Sequence, residues 1–193
     1  MAENEPRPAT SIVQLSPPPI DEPAPPAEPD PVFDSFHDLI DAARQQFDRL
    51  VLNDDLVTPA AALDKHTKAP VWRARTWGSL LMLQDYADYR AGGDTGAFRV
   101  WLEQHPHPRI SPHNVATGET ALTAADLEFR RARTFPVPPT VAADGFSYFG
   151  AHIRIEPGRT SPAPRLHYLD DCARTHKIYI GHLGRHLPSH RGE

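Results

Sequence analysis

Apolar residues recur at intervals of three and four between residues 36 and 51, which is the spacing that places side chains on one face of a helix. Ser35 precedes this stretch and Asp38 follows three positions later, a pattern typical of a helix N-terminus. The pattern therefore predicts a core helix of about four turns. Its apolar face comprises Phe36, Leu39, Ile40, Ala43, Phe47, Leu50 and Val51.

Further helices are predicted before residue 134. A long one begins at Pro70, a residue suited to the first helical position, and ends at Gly92. A short one, capped by Asp94 or Thr95, contains the apolar residues between 98 and 102. A last one begins at Thr123 and ends near residue 133.

The pattern changes after residue 144, where aromatic and β-branched residues alternate with polar ones. Segments 145–156, 165–170 and 177–183 each read as a strand, and short turns separate them. They predict a three-stranded antiparallel meander packed by the preceding helices. The predicted fold class is thus α+β, with helices over about 35–133 and a sheet over about 145–187 of one domain, residues 35–193.

Residues 1–34 have a different composition. Ten of the 22 prolines fall within residues 1–35, together with seven acids and one base. Such a segment cannot bury enough apolar surface to offset the entropy of ordering, so it is predicted to be a disordered, acidic tail. Residues 17–31 could dock in the aromatic groove of a protein that recognises proline-rich motifs, or the tail could serve as a spacer.

The composition of the chain indicates where in the cell the protein is located. No apolar run approaches the length needed to cross a bilayer, and the first residues are polar, so no membrane association is predicted. The only cysteine, Cys172, has no partner for an internal disulfide. We therefore expect a cytoplasmic protein.

Charge is unevenly distributed. The chain has a net charge of -5, but residues 130–193 contain ten bases and five acids, a net of +5. A basic C-terminal third in an acidic protein favours an anionic partner, either nucleic acid or an acidic protein surface.

The predicted strands supply the candidate binding residues. Strand alternation separates their apolar side chains from a polar set that we expect to converge on the opposite, more exposed face. Arginine and lysine bind phosphates, tyrosine stacks on bases and histidine transfers protons near neutral pH. The alternative is an ordinary solvated sheet face. The polar set is His152, Arg154, Arg165, His167, Lys177 and Tyr179.

Metal binding is not predicted, and neither is any cofactor. His182, His186 and His190 are spaced four apart, which on a helix would align three imidazoles. The glycines and Pro188 within this segment argue against a helix, so these three histidines are only an alternative metal site.

Familiar enzyme motifs are missing from the sequence. It contains no Walker-type glycine loop, no dinucleotide-binding glycine motif, no nucleophile elbow and no H-E-x-x-H. Whether the chain catalyses a reaction is left open, and the missing motifs favour a binding module over an enzyme.

The last third of the chain resembles two groups of proteins. The blocks RTFPVPP, GAHIRIE, APRLHYLDD and KIYIGHLGRHL, within about residues 129–187, resemble a group of uncharacterised proteins from high-GC bacteria. Helices followed by three strands, the last containing IGH, are similar to the RelE/ParE toxin superfamily. That resemblance implies an endoribonuclease in which Arg165, His167, Lys177 and Tyr179 contact RNA and move its protons. The chain is longer and less basic than such toxins.

Three functions follow as expectations. The first is a binding module that engages an anionic partner through its basic C-terminal sheet. The second is a toxin-like endoribonuclease. The third is a structural or assembly protein that acts through the proline-rich tail.

Overall fold

A computed structural model describes residues 30–157 and 163–189, so most of the predicted proline-rich tail lies outside the described residues. The helices are α1 (Phe36–Gln46), α2 (Val57–Ala61), α3 (Ala69–Ala91), α4 (Phe98–Gln104), α5 (Ala121–Ala125), α6 (Leu127–Ala132) and α7 (Cys172–Thr175). The strands are β1 (Leu50–Leu52), β2 (Val115–Ala116), β3 (Thr134–Pro136), β4 (Phe146–Tyr148), β5 (Ala151–Arg154), β6 (Arg165–Asp170) and β7 (Ile178–Gly184).

The central sheet is larger than the sequence predicted. The architecture mixes helices and strands, as expected, but the main sheet has five strands in the order β1-β7-β6-β5-β2. β5, β6 and β7 are antiparallel neighbours, β1 adds in parallel to β7, and β2 adds antiparallel to β5. The remaining strands, β3 and β4, form a separate antiparallel pair.

One extra strand comes from a segment expected to be helical. α1 ends at Gln46, and Phe47 has extended backbone angles, so Leu50 and Val51 leave the predicted helix. They belong to β1, where Leu50 lies opposite Ile178. A short apolar run fits either a helix face or a buried strand, and only the distant partner β7 decides between them.

The other helix predictions are confirmed in outline and wrong at several ends. Ser35 caps α1 by accepting a hydrogen bond from the Asp38 N–H at 3.1 Å. The long helix occupies Ala69–Ala91, close to its predicted bounds. α4 begins after Ala97 instead of Asp94 or Thr95. The helix expected to end near residue 133 is divided into α5 and α6, because Asp126 caps a new helix.

Helices α1 and α3 cover one face of the sheet, which we call the first face. It contributes Ile153, Leu166, Ile178 and Ile180 to the main core. Against these pack α1 and the 23-residue helix α3, whose Trp72, Trp77, Leu80 and Leu83 are buried. In the part of the chain that the structure describes, no helix combines the length and apolar character needed to cross a membrane.

The opposite, second face is covered as well. Segment 134–149, which contains β3 and β4, packs on it and forms a smaller core of Val137, Phe149 and Tyr179. Phe135 packs edge-on against Phe149, with ring centroids 5.3 Å apart. The segment predicted as one strand, 145–156, is interrupted at Phe149 and Gly150, so its first part joins this cover and its second part joins the central sheet.

A buried tyrosine links α3 to the end of β6. The Tyr86 hydroxyl lies 2.7 Å from both the Asp170 carboxylate and the Gly96 carbonyl oxygen, and it accepts a hydrogen bond from Arg90 at 2.6 Å. Burial and the Asp170 carboxylate raise the pKa of Tyr86, so the hydroxyl keeps its proton at neutral pH.

We expect Tyr86→Phe to lower the free energy of unfolding by about 1–3 kcal/mol, because it removes the buried hydroxyl that joins Asp170, Gly96 and Arg90. Urea unfolding followed by circular dichroism measures this loss. The matched control is Tyr89→Phe, since Tyr89 is 38% exposed. Equal effects of the two changes would contradict the assigned link.

Candidate functional site at the second face of the sheet

The predicted polar face is not exposed. His152, Arg165, His167 and Tyr179 are only 6%, 5%, 1% and 4% exposed. The chain between β2 and β5 packs against His152, His167 and Tyr179 on this side of the sheet. Arg154 is the member of the predicted set that stays exposed. Alternation along the strands thus identified a polar face but could not show what covers it.

The four residues that the toxin resemblance implied do not form a single cluster. They are Arg165, His167, Lys177 and Tyr179. Arg165 pairs with Gly184 and Asp170 pairs with Ile178, so Arg165 and Lys177 lie at opposite ends of β6. Five residue steps along a strand separate these ends by about 16 Å. Lys177 donates a hydrogen bond to the Asp48 carbonyl oxygen, and it is half-buried.

Three histidines lie side by side on adjacent strands, and we call them the histidine row: His152, His167 and His182. His152 pairs with His167, which pairs in turn with His182. The ring centroids of His152 and His167 are 4.9 Å apart, and those of His167 and His182 are 5.9 Å apart. All three are buried.

A β-bulge brings His182 into the row. Simple alternation along β7 would place His182 on the first face with Ile180. The ladder instead shifts register, with Tyr168 opposite Ile180 and His167 opposite His182, so Gly181 is the extra residue. A Cβ atom on Gly181 would lie 2.5 Å from a ring carbon of Phe135, and this contact explains the glycine.

A buried ion pair lies beside the row. Arg133 donates from Nε to Oε1 of Glu119 at 2.5 Å, and the two side chains are 0% and 4% exposed. Arg133 Nη1 also donates to the carbonyl oxygens of Phe129 and Pro188, at 3.1 and 2.7 Å. Nδ1 of His152 is 3.7 Å from the same Glu119 oxygen. The ion pair therefore joins the second face to the chain that follows β7.

Backbone carbonyls orient two of the imidazoles. Nδ1 of His152 is 3.2 Å from the Gly150 carbonyl oxygen, and Nδ1 of His167 is 3.0 Å from that of Phe149. A carbonyl oxygen only accepts, so each Nδ1 carries the proton and each Nε2 keeps its lone pair when the ring is neutral. His182 donates from Nε2 to the Arg185 carbonyl oxygen at 3.0 Å.

Burial keeps these imidazoles neutral. Desolvation lowers the pKa of all three histidines, for His167 well below 6.5. Neighbouring cations reinforce the effect on the pKa, whereas Glu119 opposes it at His152. Neutral imidazoles beside a carboxylate can accept protons or bind a metal ion. The neighbouring cations are Arg133, Arg154 and Arg165.

Arginines gather at the adjacent edge of the sheet, where β5 ends, β6 begins and β7 ends. We call Arg154, Arg165 and Arg185 the basic end. Burial and then Arg154 lower the pKa of Arg165 to about 10, and the side chain donates to the carbonyl oxygens of Glu156, Ala163 and Pro164. Arg154 and Arg185 are exposed, and no described carboxylate lies within ion-pair distance of either.

Some site residues carried no signal in the sequence. Glu119 and Arg133 flank two short helices, and nothing in their spacing shows that they form an ion pair beside the second face. Gly181 did carry a signal, since a glycine in a strand indicates a bulge or a close contact. The alternative metal set is not aligned on a helix: His186 lies in an irregular segment after β7, and His190 lies outside the described residues.

Comparisons with protein-family models, with curated proteins and with solved structures found no match to this chain.

We expect Gly181→Ala to lower the free energy of unfolding by about 1–3 kcal/mol, because the added methyl group overlaps Phe135 and Phe149. Chemical denaturation measures the change. Gly118→Ala is the control, since a Cβ atom there meets nothing within 4 Å and should change stability by less than about 0.5 kcal/mol. A tolerated Gly181→Ala would contradict the close approach at the bulge.

We expect stability to fall as the pH decreases below the ordinary histidine value of 6.5. The unfolded chain then binds protons that the folded chain excludes, so each pH unit costs up to about 1.4 kcal/mol per buried histidine. Between pH 7.5 and pH 5.0, with a chelator present, the Tm should drop by more than about 5 °C.

The drop should be smaller in His167→Gln, which removes one buried imidazole. The exposed His107→Ala should match the wild type. Identical pH profiles for all three proteins would contradict the assignment of neutral, buried histidines.

Proposed function

We propose that this chain is a binding module that engages nucleic acid at the basic end of its central sheet. The observation that carries the proposal is that Arg154 and Arg185 are exposed beside the buried Arg165 and have no described carboxylate as an ion-pair partner. Arginine suits phosphate groups because its planar guanidinium donates two parallel hydrogen bonds.

The nearby acids are already engaged by other cations, which supports the proposal. Glu156 accepts hydrogen bonds from Lys68, Trp72 and Arg75 at 3.2, 2.9 and 2.7 Å. Glu119 is paired with Arg133. The arginines of the basic end therefore keep their positive potential toward solvent, and a polyanion gains by neutralising it.

One observation favours catalysis as a second candidate. His152, a neutral imidazole that could take up a proton, is two residues from the exposed Arg154 on β5. An endoribonuclease built on these two residues would differ from the arrangement implied by the toxin resemblance, since Lys177 lies at the other end of the sheet. The proline-rich segment 17–31 lies almost wholly outside the described residues, so assembly through the tail stays a prediction from the sequence.

Fluorescence anisotropy of the full chain with labelled single-stranded RNA and duplex DNA, at low and physiological salt, tests the proposal. Binding should weaken as salt rises, and Arg154→Ala/Arg185→Ala should weaken it about tenfold or more and reduce the salt dependence. Arg99→Ala is the matched control, because Arg99 is a surface residue already paired with Glu103 at 3.2 Å on α4.

The outcomes separate the candidate functions. Nucleic-acid binding that is insensitive to both salt and the double change would overturn the basic end as the interface. Binding to polyglutamate alone would indicate an acidic protein as the partner. Shortened RNA on a gel, lost in His152→Gln, would indicate the endoribonuclease.

A further inference from the structure

The histidine row and the buried carboxylate together offer metal ligands. Glu119, His152 and His167 each present one donor atom, and these three atoms lie within 4.8 Å of one another. We propose that these three residues bind a divalent transition-metal ion of the zinc class. The proposal does not depend on nucleic-acid binding, because it concerns residues of the second face and not the arginines of the basic end.

The donor set identifies the class of metal. Two imidazoles and one carboxylate are ligands that suit Zn²⁺, and three protein ligands leave a fourth position open. Bonds of about 2.0–2.1 Å in a tetrahedron bring ligand atoms to about 3.3 Å from one another. The distances between the three donor atoms must therefore shorten by up to about 1.5 Å on binding.

The imidazoles are already oriented as metal ligands usually are. A histidine that binds metal through one nitrogen almost always donates its other N–H to a carbonyl or carboxylate. Nδ1 of His152 and of His167 make such contacts with the adjacent carbonyls of Gly150 and Phe149. In this tautomer each Nε2 keeps a lone pair, and both rings are fixed by the same short link between β4 and β5.

Arg133 has a buried donor that could bind an anion next to the metal ion. Its Nε contacts Oε1 of Glu119, so the carboxylate keeps a second oxygen for a metal. Among the described residues, the buried Nη2 of Arg133 has no hydrogen-bond partner. A buried donor without a partner is rare, and a small anion in the open metal position would supply the missing acceptor and balance the added charge.

Isothermal titration of the full chain with ZnCl₂, after removal of metal with a chelator, tests the proposal. We expect one Zn²⁺ per chain, and we expect His152→Gln, His167→Gln and Glu119→Gln each to weaken binding by more than about tenfold. His107→Ala, an exposed histidine elsewhere, should bind as the wild type does. Circular dichroism of each metal-free variant checks that it folds.

A second measurement does not depend on the variants. Co²⁺ added to the wild type should give the intense visible absorption of a four-coordinate site, and Zn²⁺ should raise the Tm. No stoichiometric Zn²⁺ binding by the wild type would overturn the proposal. Binding lost in His186→Ala but kept in His152→Gln would place the ion at the C-terminal histidines and would overturn it as well.

Discussion

The buried ion pair between Arg133 and Glu119 is the interaction on which the second face of the sheet depends. Removing a guanidinium and a carboxylate from water is costly, and their attraction offsets that cost only when the geometry is close and further hydrogen bonds are made. Arg133 meets this condition through Glu119 and the carbonyls of Phe129 and Pro188. These contacts join the connection that contains α5 and α6 to the chain after β7, and Glu119 lies 3.7 Å from His152 on β5.

Burial beside this ion pair keeps the histidines of the row neutral. Water is excluded from the row, and Arg133 adds positive potential, so protonation of His167 is unfavourable. Gly181 completes the row because the bulge turns His182 from the first face to the second. Buried polar side chains need hydrogen-bond partners inside the protein. Here a backbone carbonyl oxygen accepts a hydrogen bond from each imidazole ring.

Much of the fold was predictable because it depends on local patterns. The cap at Ser35 and the periodicity of α1 and α3 are local, and so are the alternation of β6 and the isoleucines of β7. The position of β1 was not predictable, since three apolar residues become a strand only beside Ile178. The site was predictable in part. Strand alternation placed His152 and His167 on the same face of the sheet. The spacing of residues in the sequence predicted neither the segment that covers this face nor the position of Glu119 and Arg133 beside it.

The central claim is that His152 and His167 are buried, neutral imidazoles that carry their protons on Nδ1. Side-chain ¹H–¹⁵N correlation spectra recorded across a pH titration, with assignments from His→Gln variants, test it most directly. The account predicts the Nδ1-protonated tautomer for both rings and no titration of either ring near pH 6.5. Titration of His152 and His167 near the value of free histidine would contradict it.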